Sequence, residues 1–266
     1  MAITGSLLSN FSSLELSTAD DKHYTLKTGP VSKLALRLIG IPHLGFRARA
    51  RVILDRAKNL TQEHTKVLDA GCGYGLYSLT LAEQNKGYID AVDLEQPRID
   101  ALNRLLDEQS HLKIRIQTRQ GSITDLPFDD HSHDLVICSD VIEHIPDDLV
   151  AIQEMARVLR PGGTLIISTP YNSTYNQRIF RKFDHQRPGY TTEKYMTLLA
   201  PHHITVNESS FYEYRFGTVL FNIFNTIRSK PLMGILFYPF YALYRLDSMM
   251  KIGEPNGIVI VATKQS

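Results

Sequence analysis

The stretch that most constrains this chain is Thr65-Lys66-Val67-Leu68-Asp69-Ala70-Gly71-Cys72-Gly73-Tyr74-Gly75. A short apolar strand runs directly into three alternating glycines, and an apolar helix follows at residues 76–83. Glycine at a strand end permits a tight turn and a close approach of backbone to a ligand. The first turn of the helix behind it aims unpaired amide N–H groups at the same point. Such a turn is either a nucleotide site or an ordinary strand-to-helix connection, and its surroundings decide which.

Those surroundings alternate. Strands are expected at residues 66–70, 88–92, 113–118, 133–138 and 164–168, with helices at 76–82, 97–108 and 147–159. Alternating strands and helices predict a parallel sheet covered on both faces, with the strand C-terminal ends along one edge, where open α/β sheets bind ligands. Before this core, residues 1–20 are rich in Ser, Thr and Asn and read as a loosely held arm, and 31–41 read as a short helix stopped by Gly40 and Pro42. Residues 46–59 have helical spacing, with a basic face (Arg47, Arg51, Lys58) and a buried one (Val52, Ile53, Leu54). Beyond Pro170 the rhythm breaks. Residues 171–190 are polar and irregular, 191–199 read as a helix capped by Thr191 or Thr192, and a strand begins near His203. Phe216, Val219, Leu220, Ile223, Phe224 and Ile227 then fall on one helical stripe, and residues 257–263 read as a closing strand.

At 266 residues the chain can bury a substantial core. Its formal net charge of +1 gives no field that would argue for nucleic acid. Cys72 and Cys138 fall in a turn and a buried strand and read as reduced small hydrophobes, which suits the cytoplasm. The opening residues lack the basic-then-apolar pattern of a signal peptide, and no stretch reaches the roughly 18 uninterrupted apolar residues of a spanning helix.

The glycine turn departs from the dinucleotide fingerprint, which needs two residues before its third glycine, and this disfavours a nicotinamide oxidoreductase. It shares with that fingerprint an acidic residue about 20 positions on, Asp93, suited to the hydroxyls of a ribose. The run from Val67 to Gly75 resembles motif I of the class I S-adenosylmethionine-dependent methyltransferases, type 11 group, which includes quinone-biosynthesis enzymes. Four further blocks match in order: Asp93; Gly121-Ser122-Ile123-Thr124-Asp125-Leu126-Pro127-Phe128; Asp134-Leu135-Val136-Ile137-Cys138-Ser139-Asp140-Val141-Ile142-Glu143-His144-Ile145; and Val158-Leu159-Arg160-Pro161-Gly162-Gly163-Thr164-Leu165. The resemblance covers residues 60–170.

That resemblance implies a Rossmann-like, doubly wound, mainly parallel seven-stranded sheet with helices on both faces. Residues 1–59 would be an arm and helical cap, and 60–266 the catalytic domain. Within it, 171–200 would cover the acceptor and 211–250 would be a hydrophobic helical insertion before the last strand. It also implies S-adenosylmethionine as cofactor. Asp69 would orient its methionine amino group, Gly71, Gly73 and Gly75 would floor it, and Asp93 would hold the ribose. Asp125 and the backbone at Ile123 would face the adenine, and Ser139 would line the junction with the acceptor, with Cys72, Leu94 and Ser122 completing the pocket. The sulfonium already activates the methyl group, so the protein needs to align the acceptor and exclude water.

For a hydroxyl acceptor a general base helps. His144, after the fourth strand, is the best-placed candidate, with His185 and Tyr190 in the covering segment behind it. Asp140, Glu143 and His144 at i, i+3 and i+4 offer oxygen and imidazole ligands. Quinone enzymes of this kind carry Glu at the position of Asp140, so the shorter residue favours a metal-free site. The aromatic and aliphatic stretch at 216–246 reads as core packing, as a lid over an apolar acceptor, or as an interfacial patch edged by Arg228, Lys230 and Arg245. The expectation is transfer of a methyl group to a small, apolar or lipid-like acceptor, foremost at oxygen. N- or C-methylation and a non-catalytic cofactor-binding regulator are the alternatives.

Overall fold

The computed structural model describes residues 44–84, 86–227 and 233–266. The expected arm, the helix at 31–41, and Arg228 and Lys230 lie outside the described residues. In chain order the elements are α1 (Leu44–Leu60), β1 (Lys66–Ala70), α2 (Leu76–Glu83), β2 (Tyr88–Asp93), α3 (Gln96–Glu108), α4 (Ser110–Lys113), β3 (Ile116–Gln120), β4 (His133–Ser139), α5 (Asp148–Val158), β5 (Leu159–Pro170), α6 (Thr174–Ile179), α7 (Thr192–Leu199), β6 (Ile204–Tyr212), α8 (Arg215–Ile227), α9 (Met233–Met250) and β7 (Gly257–Lys264). One-turn helices at Ile142–His144 and Phe180–Phe183 punctuate the loops.

The strands form one seven-stranded sheet in the order β3-β2-β1-β4-β5-β7-β6. β1 to β5 are parallel, and β7 runs antiparallel to both β5 and β6. The central strands bury both faces: Val67 packs with Leu79, Leu102 and Ile137 on one side, and Leu68 with Val136, Ile152 and Leu165 on the other. α1, α2 and α3 cover the first face, and α5 and α7 the second. This is the expected architecture, with three differences in detail. β3 starts later than its apolar pattern suggests, because residues 110–113 form α4. β5 starts before the expected Arg160-Pro161-Gly162-Gly163 turn, absorbing it through a register shift against β4 between His133 and Leu135. The stripe on α8 also splits: Leu220 and Phe224 are buried with Leu44 and Tyr244, whereas Val219 and Ile223 remain exposed.

The register places the insertion. Gly257 pairs with Pro170 on β5 and with Tyr212 on β6. The α8–α9 segment therefore leaves and re-enters the sheet at the edge that carries the C-terminal ends of the parallel strands. Asp247 of α9 accepts from the backbone amides of Tyr214 (2.6 Å) and Gly217 (2.7 Å), capping the start of α8. Tyr244 donates to Glu213 (2.7 Å).

Candidate functional site

Four loops meet along that edge. After β1, Gly71, Gly73 and Gly75 all take positive φ (77°, 55° and 78°), a backbone region open to glycine and strained for other residues. The amides of Gly71 and Cys72 both donate to the Val92 carbonyl (2.8 Å each), which folds the turn against the end of β2. A side chain at Gly71 would overlap Val141 and one at Gly75 would overlap Leu102, but one at Gly73 would meet open space. The middle glycine thus faces a cleft and its flanking partners face the protein.

Asp93, 4 % exposed, sits beside that cleft. One carboxylate oxygen accepts from the Gly73 amide (2.8 Å), the other from the Glu95 amide (2.9 Å), and Arg98 lies 3.8 Å away. Each oxygen keeps a second lone pair for a hydroxyl donor. Next door, Gly121 N donates to the Asp93 carbonyl (3.0 Å), which joins the β3 loop to β2. That loop closes as a tight Ser122–Asp125 bridge, with Ile123 buried and Asp125 exposed. Leu94 is an apolar side chain 64 % exposed at the strand end, where a base can stack. Across β3, β2, β1 and β4 the span is three strand spacings, about 14 Å, long enough for an elongated nucleoside–amino acid ligand.

Asp69 is placed differently from its neighbours. It is 2 % exposed and accepts from the Ser78 hydroxyl (2.6 Å) and amide (3.2 Å) with one oxygen, so it holds the first turn of α2 beneath the glycines. Burial pushes its carboxyl up to about 6, against the opposing pull of the Ser78 hydrogen bonds. Cys72 is buried, with its sulfur on the Gly73 carbonyl, and burial pushes its thiol well up.

On the acceptor side Ser139 hydrogen-bonds to Tyr77 Oη (2.9 Å) and to Ser168 Oγ (3.0 Å). Asp140 follows with φ 52°, its amide on the Ser168 carbonyl (2.9 Å) and its carboxylate paired with Arg49 of α1. Tyr77, Arg49 and Ser168 were not among the residues singled out from the sequence. Tyr77 follows Gly75 by two positions, a spacing that points its side chain at the cleft. Arg49 lies on the opposite side of its helix from the basic face, itself the sign of a buried cation.

The segment after β5 folds over the β4 loop. Arg187 donates to the carbonyls of Ile142 (2.8 Å), Ile145 (2.9 Å) and Pro146 (2.9 Å), and Gln186 N donates to the Glu143 carbonyl (2.8 Å). His144 and His185 meet edge to face with ring centroids 4.6 Å apart. His144 Nδ1 lies 3.3 Å from the Asp184 carbonyl; in the neutral tautomer that donates from Nδ1 to this carbonyl, Nε2 is left as the acceptor. Glu143 is 1 % exposed, its Oε2 has no hydrogen-bond partner among the described residues, and burial raises its carboxyl to about 8. One donor atom each from Glu143, His144 and His185 lies within 4.8 Å of the others. Asp140, tied to Arg49, is not in that cluster. Tyr190 is a correction: it is fully buried, stacked on Tyr195, and its hydroxyl donates to Asp148 (2.7 Å) while accepting from Arg187 (3.0 Å). It packs the covering segment and presents no hydroxyl to a substrate.

Residues 68–167 match the model of a methyltransferase domain family. The ubiquinone biosynthesis O-methyltransferase of Xanthomonas campestris pv. campestris (strain B100) is 38 % identical over 105 residues, covering 39 % of this chain and 42 % of the relative. That of Xylella fastidiosa (strain M23) is 33 % identical over 115 residues, covering 42 % and 45 %. The chain thus matches less than half the length of these curated relatives. Among solved structures, a geranyl diphosphate methyltransferase in complex with SAM shares the fold at a TM-score of 0.63 and 18 % identity, covering 94 % of this chain and 95 % of that one. The [4+2]-cyclase SpnF does so at 0.63 and 18 %, covering 81 % of each. Five motif blocks in order, the glycine floor open at Gly73, and the Asp93 carboxylate beside it agree with these matches: the chain carries a class I S-adenosylmethionine-dependent methyltransferase domain.

Proposed function

We propose that this protein transfers the methyl group of S-adenosylmethionine to a hydroxyl of a small apolar acceptor. The hydrogen bond from the Gly73 amide to Asp93 carries the reading, because it joins the methionine-side floor to the ribose carboxylate in one rigid unit. The donor supplies a methyl group already activated as a sulfonium, so the chain's residues orient and exclude water. Leu94, Ser122, Ile123 and Asp125 form the base end, Gly71 to Gly75 with Cys72 the floor, and Ser139 the junction with the acceptor. His144, through Nε2, takes the acceptor's proton as methyl transfer proceeds, with His185 packed against its ring. The α8–α9 insertion at the same edge, and the quinone-pathway relatives, favour an apolar acceptor. N- or C-methylation is the alternative within this chemistry, and the free, buried Cys72 and Cys138 suit a reducing, cytoplasmic setting.

Incubation with labelled S-adenosylmethionine and a quinol-containing lipid extract, followed by mass spectrometry, tests it. A methylated product with stoichiometric S-adenosylhomocysteine is expected. Cofactor binding with no turnover on any acceptor pool would support a regulatory protein instead. His144→Gln should lower kcat by about 10²–10⁴-fold with cofactor affinity unchanged.

A second reading has its own observation. The partnerless Glu143 oxygen and the imidazoles of His144 and His185 form a carboxylate–imidazole set suited to a divalent transition metal. Activity lost on chelation and restored by Zn²⁺ or Mn²⁺ would favour a metal-held acceptor; activity indifferent to chelation favours His144 as a metal-independent base.

A further inference from the structure

The α8–α9 hairpin carries exposed apolar side chains as well as buried ones. Leu220, Phe224 and Tyr244 bury against Leu44 of α1. The solvent side of α9 then carries Leu243, Leu246, Met249 (78 % exposed) and Met250, continued by Ile252, and α8 adds Val219 and Ile223. At 100° per residue, Ala242, Leu243, Leu246, Met249 and Met250 fall within about 120° of one another, an apolar stripe roughly opposite the buried Tyr244 and Asp247. A helix with two apolar faces, only one of them covered among the described residues, has a second environment to meet.

The charges identify that environment. Among the described residues of 215–254, the exposed charged side chains are Arg215, Arg245, Lys251 and Glu254, three basic and one acidic; Glu254 accepts from the Thr174 amide (2.8 Å), and Asp247 is buried in its capping bonds. Tyr175 of α6 touches Asn222 of α8 (3.4 Å), and the segment that follows exposes Arg178, Arg181, Lys182 and Phe183, three cations against the one exposed acid Asp184. Apolar side chains set among basic ones are the pattern of a helix that lies in a membrane interface. No described helix is long and apolar enough to cross a membrane.

We propose that the outer face of the α8–α9 hairpin, with Leu243, Leu246, Met249, Met250 and Ile252 inserted and Arg215, Arg245 and Lys251 at the headgroups, docks this protein on an anionic lipid bilayer. The interaction is independent of methyl transfer and is read without turnover.

Co-sedimentation of the full chain with phosphatidylcholine vesicles, with and without a quarter of phosphatidylglycerol, tests the proposal. Binding to the anionic vesicles that weakens as salt is raised is expected. Arg245→Gln and Lys251→Gln should each weaken it about fivefold, and Leu246→Glu with Met249→Glu should abolish it while calorimetric cofactor affinity is unchanged. Wild-type protein that ignores anionic vesicles overturns the proposal. So does a wild-type dimer in sedimentation equilibrium that the Glu pair converts to monomer, since the patch is then an interface between copies of this chain.

Discussion

Arg49 of α1 and Asp140 at the end of β4 form an ion pair that fastens the helix preceding the sheet to the loop bearing Glu143 and His144. Asp140 sits at φ 52°, a conformation that Asp tolerates better than most residues, and Ser168 bonds both its amide and its carboxylate. The side chains are 14 % and 27 % exposed, so the pair is partly desolvated. Removing one partner leaves the other charge under-compensated. Arg49→Met should lower unfolding free energy by about 1–3 kcal/mol, after discounting for the solvent that reaches Asp140. Asp140→Gly loses the same pair but relieves the backbone, and the double variant should lie above the sum of the two. Urea titrations of the four proteins check this; simple additivity would mean that the pair does not couple.

Asp93 joins stability to binding. Its removal strands the amides of Gly73 and Glu95 and, on the proposed assignment, the ribose hydroxyls. Asp93→Ala should weaken cofactor binding by about 2–4 kcal/mol and lower the melting temperature of the cofactor-free protein, whereas Asp93→Asn keeps an acceptor oxygen and loses less. Calorimetric affinity unchanged in Asp93→Ala would remove the ribose assignment.

The sheet was legible because its signals are local and repeated. Apolar runs such as Val67-Leu68 and Leu135-Val136-Ile137, each ending at a turn, specify buried parallel strands. Glycines with no alternative φ mark the floor. What escaped depended on partners distant in sequence. Arg49 reads as one more arginine of a basic helix until β4 brings Asp140 to it. Tyr190 reads as a loop phenol until α5 brings Asp148 against its hydroxyl. His185 joins Glu143 and His144 only because Arg187 pins the covering segment to the carbonyls of that turn. On α8 the helical stripe predicts one apolar face, but it says nothing of how wide the facing surface is: Leu44 of α1 and Tyr244 of α9 pack with Leu220 and Phe224, and Val219 and Ile223 stay exposed.

Asp69 makes a pH prediction. Its folded carboxyl is raised from 3.8 to about 6 by burial. Between those values the folded state holds a proton that the unfolded state has released, so this residue's contribution falls as pH rises through the window. The total is about 3 kcal/mol, two units at 1.4 kcal/mol each. Asp69→Asn cannot titrate, and its carbonyl oxygen can still accept from Ser78. Its stability relative to wild type should therefore rise by about 2 kcal/mol from pH 4 to pH 6 and level off near pH 7. A flat difference across urea titrations at pH 4, 5, 6 and 7 would show that Asp69 is ionised in the fold throughout.

The three glycines, alike in φ, should respond differently to the same methyl group. An L residue at positive φ costs about 1–2 kcal/mol at each position. At Gly71 the added carbon also overlaps Val141, and at Gly75 it overlaps Leu102, both packed side chains. Gly71→Ala and Gly75→Ala should therefore lose more stability than that, through overpacking. At Gly73 the carbon enters open space, so Gly73→Ala should pay the backbone term alone and remain folded, yet intrude on the cofactor in the proposed site. Thermal melts and calorimetry with S-adenosylhomocysteine on the three variants separate the two effects. The expected pattern is a modest melting shift with binding lost in Gly73→Ala, against a large melting shift in the others. Full affinity in Gly73→Ala would place the ligand away from the glycine floor.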